Sequence, residues 1–217
     1  LHSGPHCFHL RFWIVERHTE NSITLRLDSP RGDQGFPGNA VIRVTYTLEA
    51  DYALHISYDA VADRDTVFNM TNHSYFNLAG HHRPELAMDQ VLSINAGFFT
   101  PADEYSIPTG EIRAVSGSPM DFRIPKTIGS EINAEYDALN LQAGYDHNFV
   151  LSGEQCAVLS YGDLTMTVTT DCPGVQFYSG NFLVGERGKE GVSYCHRGGI
   201  CLETQYWPDA THHPLWP

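Results

Sequence analysis

The sequence predicts an all-β protein built as a sandwich or a barrel. The dominant spacing of apolar residues is two, which is the period of a strand with one buried face. Short β-rich runs follow one another closely, and clusters of Gly, Pro, Asn and Asp separate them. Many short strands joined by turns are typical of sandwiches and barrels.

The alternation of apolar and polar residues is clearest in the first third of the chain. Thr, Arg, His and Ser there separate apolar residues at every second position, which predicts half-buried strands. These apolar residues are Ile23, Leu25 and Leu27, then Ile42, Val44, Tyr46 and Leu48, and then Leu54, Ile56 and Tyr58. Further β-rich runs lie at residues 91–94, 149–151, 158–161, 164–169 and 175–178.

One segment favours a helix. Residues 130–141 begin with Ser130, a residue type favoured at the N-cap, and place Ile132, Tyr136 and Leu139 on one side. No repeat, low-complexity tract or linker is visible along the chain. A single domain over residues 1–217 is therefore predicted.

Composition and charge restrict the classes of function. The chain has 41% hydrophobic residues, enough for a sizeable core, and 26 acidic against 13 basic residues give a formal net charge of −13. Such a surface repels phosphate backbones and anionic lipid, which argues against nucleic-acid and membrane partners. No apolar run is long enough to span a bilayer.

The cysteines and paired histidines do not form a recognisable metal or disulfide pattern. The five cysteines are irregularly spaced, without a C-x-x-C, which predicts reduced thiols in the cytoplasm. Adjacent histidines occur at His81-His82 and His212-His213, and side chains of neighbouring residues diverge on most backbones. No metal site is therefore expected.

Three segments place polar groups among aromatic residues, at residues 69–80, 144–149 and 201–208. If such groups are buried, they either satisfy one another or face a polar ligand. Asp146 and Asn148 also suit an ordinary turn, and Glu203 could be an exposed strand residue; if buried, its pKa would rise. Aromatic faces, amides and carboxylates together suit a carbohydrate.

These segments belong to a longer series of motifs, at residues 1–5, 32–39, 69–80, 144–147, 176–181 and 202–217. In this order, and over essentially the whole chain, they resemble the galactose mutarotase (aldose 1-epimerase) family. The resemblance implies an all-β, galactose-mutarotase-like β-supersandwich of mostly antiparallel strands. It also implies an isomerase that interconverts the α and β anomers of a free aldohexose, galactose or glucose, without a cofactor.

The resemblance assigns roles to individual residues. Glu203 matches the position of the family's general base, and His73 matches that of its general acid. Five further residues match positions that contact the sugar: His2, Ser74, Tyr75, Asp146 and Gln176. Acid and base acting together avoid building either an alkoxide or an oxocarbenium ion while the pyranose opens.

The sequence departs from the family pattern in two respects. Ser3 stands where the family usually has a second glycine after the histidine. The expected upstream Asn-Arg pair and the closing strands after residue 217 are absent, so the domain is expected to be truncated at both ends.

Alternative functions remain open from the residues. A hexose-6-phosphate 1-epimerase would keep the same acid and base but needs Arg or Lys for the phosphate, and the motifs contain none at the matched positions. A glycoside hydrolase could use Asp146 with Glu203 as its two carboxylates. A non-catalytic carbohydrate-binding module has no need for both His73 and Glu203. A purely structural sandwich leaves the motif series unexplained.

Overall fold

The structure, a computed structural model, describes residue 2 and residues 4–217; Leu1 and Ser3 of the first motif lie outside the described residues. Antiparallel strands dominate, and α-helix among the described residues is limited to one six-residue segment, so the predicted all-β class is confirmed. The chain divides into two compact units, Leu1–Met70 and Thr71–Pro217, each with its own sheets. The single domain over residues 1–217 stays a prediction.

The unit Leu1–Met70 contains a meander of antiparallel strands, β1 (Ile14–His18), β2 (Ser22–Ser29), β3 (Ala40–Leu48) and β4 (Leu54–Ala62). Each strand pairs with the next one along the chain. Leu27, Ile42 and Val44 are buried, as the two-residue alternation predicts. Leu48 and Leu54 are exposed, because they lie opposite each other at the end of the β3–β4 ladder.

The motif at residues 32–39 closes the turn between β2 and β3. The Asp33 carboxylate accepts hydrogen bonds from the Arg11 guanidinium at 2.5 and 2.7 Å and from Ser29 Oγ at 2.7 Å. The Arg11 hydrogen bonds hold the pKa of Asp33 well below its usual range. Gly32 has a φ of 83°, a left-handed conformation that glycine adopts without strain. The motif therefore has a structural role within this unit.

The unit Thr71–Pro217 contains two larger sheets and a short hairpin. Its strands are β5 (Val91–Ile94), β6 (Ala96–Thr100), β7 (Arg113–Ala114), β8 (Lys126–Thr127), β9 (Asp146–Leu151), β10 (Gln155–Tyr161), β11 (Leu164–Thr169), β12 (Gly174–Tyr178), β13 (Glu186–Arg187), β14 (Ser193–Tyr194) and β15 (Cys201–Gln205). The five-stranded sheet has the order β15-β12-β9-β6-β7, the four-stranded sheet has the order β11-β10-β5-β8, and β13 pairs with β14. The runs predicted at residues 91–94 and 164–169 match β5 and β11 at both ends.

The two larger sheets share an apolar core. Leu92 and Ile94 on β5 and Leu159 on β10 contribute from the four-stranded sheet. Phe149 on β9 and Phe177 on β12 contribute from the five-stranded sheet, with their ring centroids 6.4 Å apart. Burial of these large apolar side chains is the main stabilising contribution to this unit.

The predicted helix at residues 130–141 is wrong in its first half. The α-helix, α1, spans Asp137–Gln142 and is preceded by Tyr136 rather than Ser130. Ser130 ends a 3₁₀ turn, and its Oγ donates to the Thr127 carbonyl at 2.6 Å. Ile132 and Leu139 are both buried, as expected, but in separate short segments that share the core. Among the described residues, no helix has the length and apolar character needed to cross a membrane.

Adjacent phenylalanines on β6 provide a test of this core. Phe99 is fully buried, with its ring 6.2 Å from the Phe149 ring, whereas the neighbouring Phe98 is 48% exposed. We expect Phe99→Ala to lower the free energy of unfolding by about 3–5 kcal/mol, because it leaves a cavity in a packed core. Phe98→Ala should cost much less. Urea unfolding followed by circular dichroism measures both; equal losses would contradict this placement of the core.

Candidate active site

The five-stranded sheet has one apolar face and one polar face. Successive side chains of a strand point to opposite faces, so Phe149, Phe177 and Leu202 face the core. Most of the residues between them carry polar side chains. The pairing of the strands places the polar side chains of neighbouring strands side by side. Gln176 lies opposite both Asn148 and Glu203, and Tyr178 lies opposite both Asp146 and Cys201. We call this the polar face: Asp146, Asn148, Gln176, Tyr178, Cys201, Glu203 and Gln205.

Hydrogen bonds connect the amides and one carboxylate of the polar face. Gln176 Nε2 donates to Asp146 Oδ1 at 2.7 Å. Gln205 Nε2 donates to Gln176 Oε1 at 3.2 Å and to Asn148 Oδ1 at 3.3 Å. The chain of contacts fixes which way the Gln176 amide points and restrains the Asp146 carboxylate.

A loop segment places His73 over one edge of the polar face. Phe76 forms an isolated antiparallel bridge with Ile200, with backbone hydrogen bonds of 2.7 and 3.0 Å, so the segment before it runs beside the start of β15. His73 Nε2 lies 3.5 Å from Glu203 Oε1, and His73 Nδ1 lies 3.3 Å from Cys201 Sγ. One imidazole therefore contacts two neighbouring residues of the same strand face.

Aromatic rings surround this imidazole. The Tyr75 ring lies 5.3 Å from the His73 ring at a tilt of 31°, and the Tyr178 ring lies 6.1 Å from it edge-on. Tyr75 and Tyr178 are 6.2 Å apart, also edge-on. Such faces suit the C–H surface of a sugar ring, while the carboxylates and amides suit its hydroxyl groups.

Burial controls the electrostatics of the two carboxyl groups. Glu203 is 7% exposed, and burial, followed by the charge of Asp146, raises its pKa to about 8. Burial also raises the pKa of Asp146, although the hydrogen bond from Gln176 opposes that rise. A buried carboxyl group beside a half-buried one, both with a raised pKa, is suited to acid–base chemistry near neutral pH.

The thiol and the two phenols of the site are neutral at physiological pH. Burial raises the pKa of Cys201, Tyr75 and Tyr178 above the ordinary values of a thiol and two phenols. The Cys201 thiol is therefore a neutral neighbour of His73 rather than a thiolate nucleophile.

The structure brings most of the sequence-predicted site residues together. Glu203, His73, Asp146 and Gln176 lie on or over the polar face, and Tyr75 packs on His73. Ser74 follows His73 and is exposed; its backbone N–H donates to Asn72 Oδ1 at 3.2 Å. His2 lies in the other unit, where its ring makes an edge contact with His9, and its predicted sugar contact stays a prediction.

Sequence reasoning missed four polar-face residues: Asn148, Tyr178, Cys201 and Gln205. The signal was present in the alternation of residues 146–149, 176–178 and 201–205, where every second residue belongs to the same face. His147, between Asp146 and Asn148, faces the core instead. Its ring lies 5.6 Å from Phe99, and burial lowers its pKa to about 4, so it is a neutral core residue.

The expectation that adjacent histidines diverge is wrong for His81 and His82. Their ring centroids are 4.0 Å apart, and both Nε2 atoms approach Glu190 Oε2. The two residues lie in a turn rather than in an extended strand, where consecutive side chains would alternate. Two groups among the described residues thus have the donors for a metal ion: His81, His82 and Glu190, and, at the site itself, His73, Cys201 and Glu203.

The raised pKa of Glu203 predicts a pH-dependent cost in stability. Folding must keep this carboxyl buried, so its ionisation destabilises the folded state increasingly from its ordinary pKa of 4.5 up to about 8. Glu203→Gln removes the charge, so we expect it to raise the melting temperature at pH 8 and to change it little at pH 4. The exposed Glu154→Gln is the control. Melting curves across this range measure both variants. A melting temperature of Glu203→Gln at pH 8 that is no higher than that of the wild type would contradict the prediction.

Comparison with known proteins places the whole chain in one family. The family model for aldose 1-epimerase matches residues 1–217. The chain is 38% identical over 222 residues to an aldose 1-epimerase of Haemophilus influenzae and 41% identical over 224 residues to a galactose mutarotase of Homo sapiens. In both cases 100% of the chain is matched, and it spans 64% and 63% of the length of these relatives.

Solved structures agree with this match. An aldose epimerase homologue from Caenorhabditis elegans superposes with a TM-score of 0.89 at 28% identity, covering 100% of the chain and 66% of the homologue. A galactose 1-epimerase from Lactobacillus acidophilus gives a TM-score of 0.81 at 31% identity, covering 92% of the chain and 59% of that protein. The predicted galactose-mutarotase-like fold is thereby confirmed, and the chain belongs to the aldose 1-epimerase family.

Proposed function

We propose that the protein interconverts the α and β anomers of a free aldohexose such as galactose or glucose, with Glu203 as general base and His73 as general acid. The observation that carries this proposal is the approach of His73 Nε2 to within 3.5 Å of Glu203 Oε1 over a face of amides and aromatic rings. Because the chain spans less than two thirds of these relatives' length, the activity is proposed for the whole protein.

The chemistry needs these two groups at the same ring. Opening a pyranose removes the proton of the anomeric hydroxyl and adds one to the ring oxygen. In the proposed reaction, Glu203 accepts the first proton while His73 donates the second, and the C1–O5 bond breaks to give the open-chain aldehyde. Rotation about C1–C2 presents the other face of the aldehyde, and the two residues exchange roles as the ring closes. Each such group contributes about 10²–10⁴-fold to the rate.

The raised pKa of Glu203 suits it to this role. A carboxylate with a pKa of about 8 is a stronger base than an ordinary glutamate, so it takes the hydroxyl proton more readily. Asp146 contributes to that basicity through its charge, and it is proposed to accept hydrogen bonds from sugar hydroxyls together with Gln176. The proposed reaction uses these side chains without a cofactor.

The remaining assignments extend the same proposal. Tyr75 and Ser74 are proposed to contact the sugar beside His73, and His2 is proposed as the second histidine that polarises the ring oxygen. A cytoplasmic location is also proposed; it is supported by the five cysteines, all of which are free thiols.

The alternative functions have less support from the site. A hexose-6-phosphate substrate calls for a basic side chain, and none of the polar-face residues is Arg or Lys. A binding module has no use for an acid and a base directed at each other. A hydrolase would use Asp146 with Glu203 and would release new reducing ends from a glycoside, whereas an epimerase changes only the optical rotation of a free sugar.

Removal of the base tests the proposal directly. We expect Glu203→Gln to slow the enzyme-catalysed mutarotation of freshly dissolved α-galactose, followed by polarimetry, by at least 10²-fold, because the amide cannot accept the proton. Galactose binding, measured by calorimetry, should persist. The exposed Glu154→Gln should retain full activity. Unchanged rates in Glu203→Gln would reject the assigned base.

Removal of the acid should separate turnover from affinity. His73→Asn preserves a polar side chain but cannot donate a proton to the ring oxygen as an imidazolium does. We expect kcat to fall by about 10²-fold or more while KM changes only a few-fold. A large rise in KM with unchanged kcat would give His73 a binding role only.

The pH profile should depend on Asp146. We expect kcat/KM of the wild type to rise with pH up to about 8, because the base must be ionised in the free enzyme. Asp146→Asn removes a neighbouring negative charge, so the pKa of Glu203 falls. The rise of kcat/KM therefore shifts to lower pH, and sugar binding becomes weaker. The exposed Asp171→Asn is the matched control. If kcat/KM of Asp146→Asn rose at the same pH as that of the wild type, Asp146 would not act on Glu203.

A further inference from the structure

A second cluster of ionisable side chains lies outside the polar face. It consists of His81, His82 and Glu190, whose ligand atoms all lie within 4.8 Å of one another. His82 Nε2 is 2.9 Å from Glu190 Oε2, and His81 Nε2 is 3.7 Å from the same oxygen. None of the three is matched to a role in the proposed reaction.

The distances between these atoms suit a metal ion with tetrahedral coordination. Zinc–ligand bonds of about 2.0–2.2 Å place two ligand atoms of a tetrahedral site roughly 3.3–3.6 Å apart. The observed 2.9 and 3.7 Å lie on either side of that range, so small side-chain rotations would complete the geometry. Three protein ligands leave a fourth position for water.

One nitrogen in the cluster is available as a ligand. His81 Nε2 is buried and makes no hydrogen bond among the described residues. A buried ring nitrogen without a partner costs free energy, and a metal bond would recover it. The side chains of His82 and Glu190 are 60% and 68% exposed, so an ion can enter from solvent.

Two braced segments hold the ligands. Asn77 Nδ2 donates to the Arg83 carbonyl at 3.0 Å, and backbone hydrogen bonds from Gly80 to Asn77 and from Arg83 to Gly80 close the turn that carries both histidines. Glu190 lies in the connection between β13 and β14, which a backbone hydrogen bond from Gly188 to Val192 closes at 2.8 Å. An ion at the cluster would cross-link two segments far apart in sequence.

We propose that His81, His82 and Glu190 bind a Zn²⁺ ion that joins the turn at residues 80–83 to the β13–β14 hairpin. Two imidazole nitrogens and one carboxylate oxygen form a donor set that favours zinc over magnesium or calcium, which prefer oxygen ligands only. The formal net charge of −13 also favours uptake of a cation.

Zinc titration of the protein, by calorimetry and by melting temperature, tests this site. We expect one tight site in the wild type, and an affinity at least tenfold lower in His82→Ala and in Glu190→Gln. Zinc should raise the melting temperature of the wild type but not of these variants. Both substitutions are at exposed side chains, so each variant is expected to fold, and circular dichroism checks this.

Two control variants separate this site from others. His212→Ala removes a histidine from the other adjacent pair, and Cys201→Ser removes a donor from the group formed with His73 and Glu203. Both should bind zinc as the wild type does. The proposal is overturned if the wild type binds no zinc, if His82→Ala and Glu190→Gln bind it unchanged, or if only Cys201→Ser loses it.

Discussion

The register in which β12 pairs with β9 and β15 determines both the core and the candidate active site. It places Gln176 between Asn148 and Glu203, and Tyr178 between Asp146 and Cys201, while Phe177 and its neighbours on these strands face the core. A slip of one residue would exchange the two faces and bury the polar groups in the core. The large apolar side chains on one face therefore fix the positions of the polar side chains on the other.

Burial of the site residues has an electrostatic consequence. Glu203 lies in the middle of β15, the edge strand of the five-stranded sheet, and is nevertheless buried, so its carboxylate is poorly solvated and its pKa is raised to about 8. The same position lowers stability once the carboxyl ionises, which is a common cost of functional groups in folded proteins. His73, by contrast, lies on a loop segment that the Phe76–Ile200 bridge anchors beside β15. The buried proposed base and the more exposed proposed acid thus approach the same place from different elements.

Much of the fold could be predicted from local sequence patterns, because strands with a period of two leave a direct signal. The runs at residues 91–94 and 164–169 coincide with β5 and β11. The predicted helix from Ser130 failed because apolar residues at helical spacing also occur where short turns pack separately on one core. The rings of His81 and His82 lie close together because the two residues are in a turn, and the sequence of two adjacent histidines does not predict that turn.

The residues of the candidate site that belong to family motifs could be predicted from the sequence. The residues that join the site through strand pairing could not. Glu203, His73, Asp146 and Gln176 are recognisable from their motifs, whereas Cys201, Tyr178 and Gln205 join them only through pairing between distant strands. A crystal structure of the protein with bound galactose is the most direct test. We predict that the anomeric hydroxyl contacts the Glu203 carboxylate and that the ring oxygen lies within hydrogen-bond distance of His73. A sugar bound away from either residue would contradict their joint action on one ring.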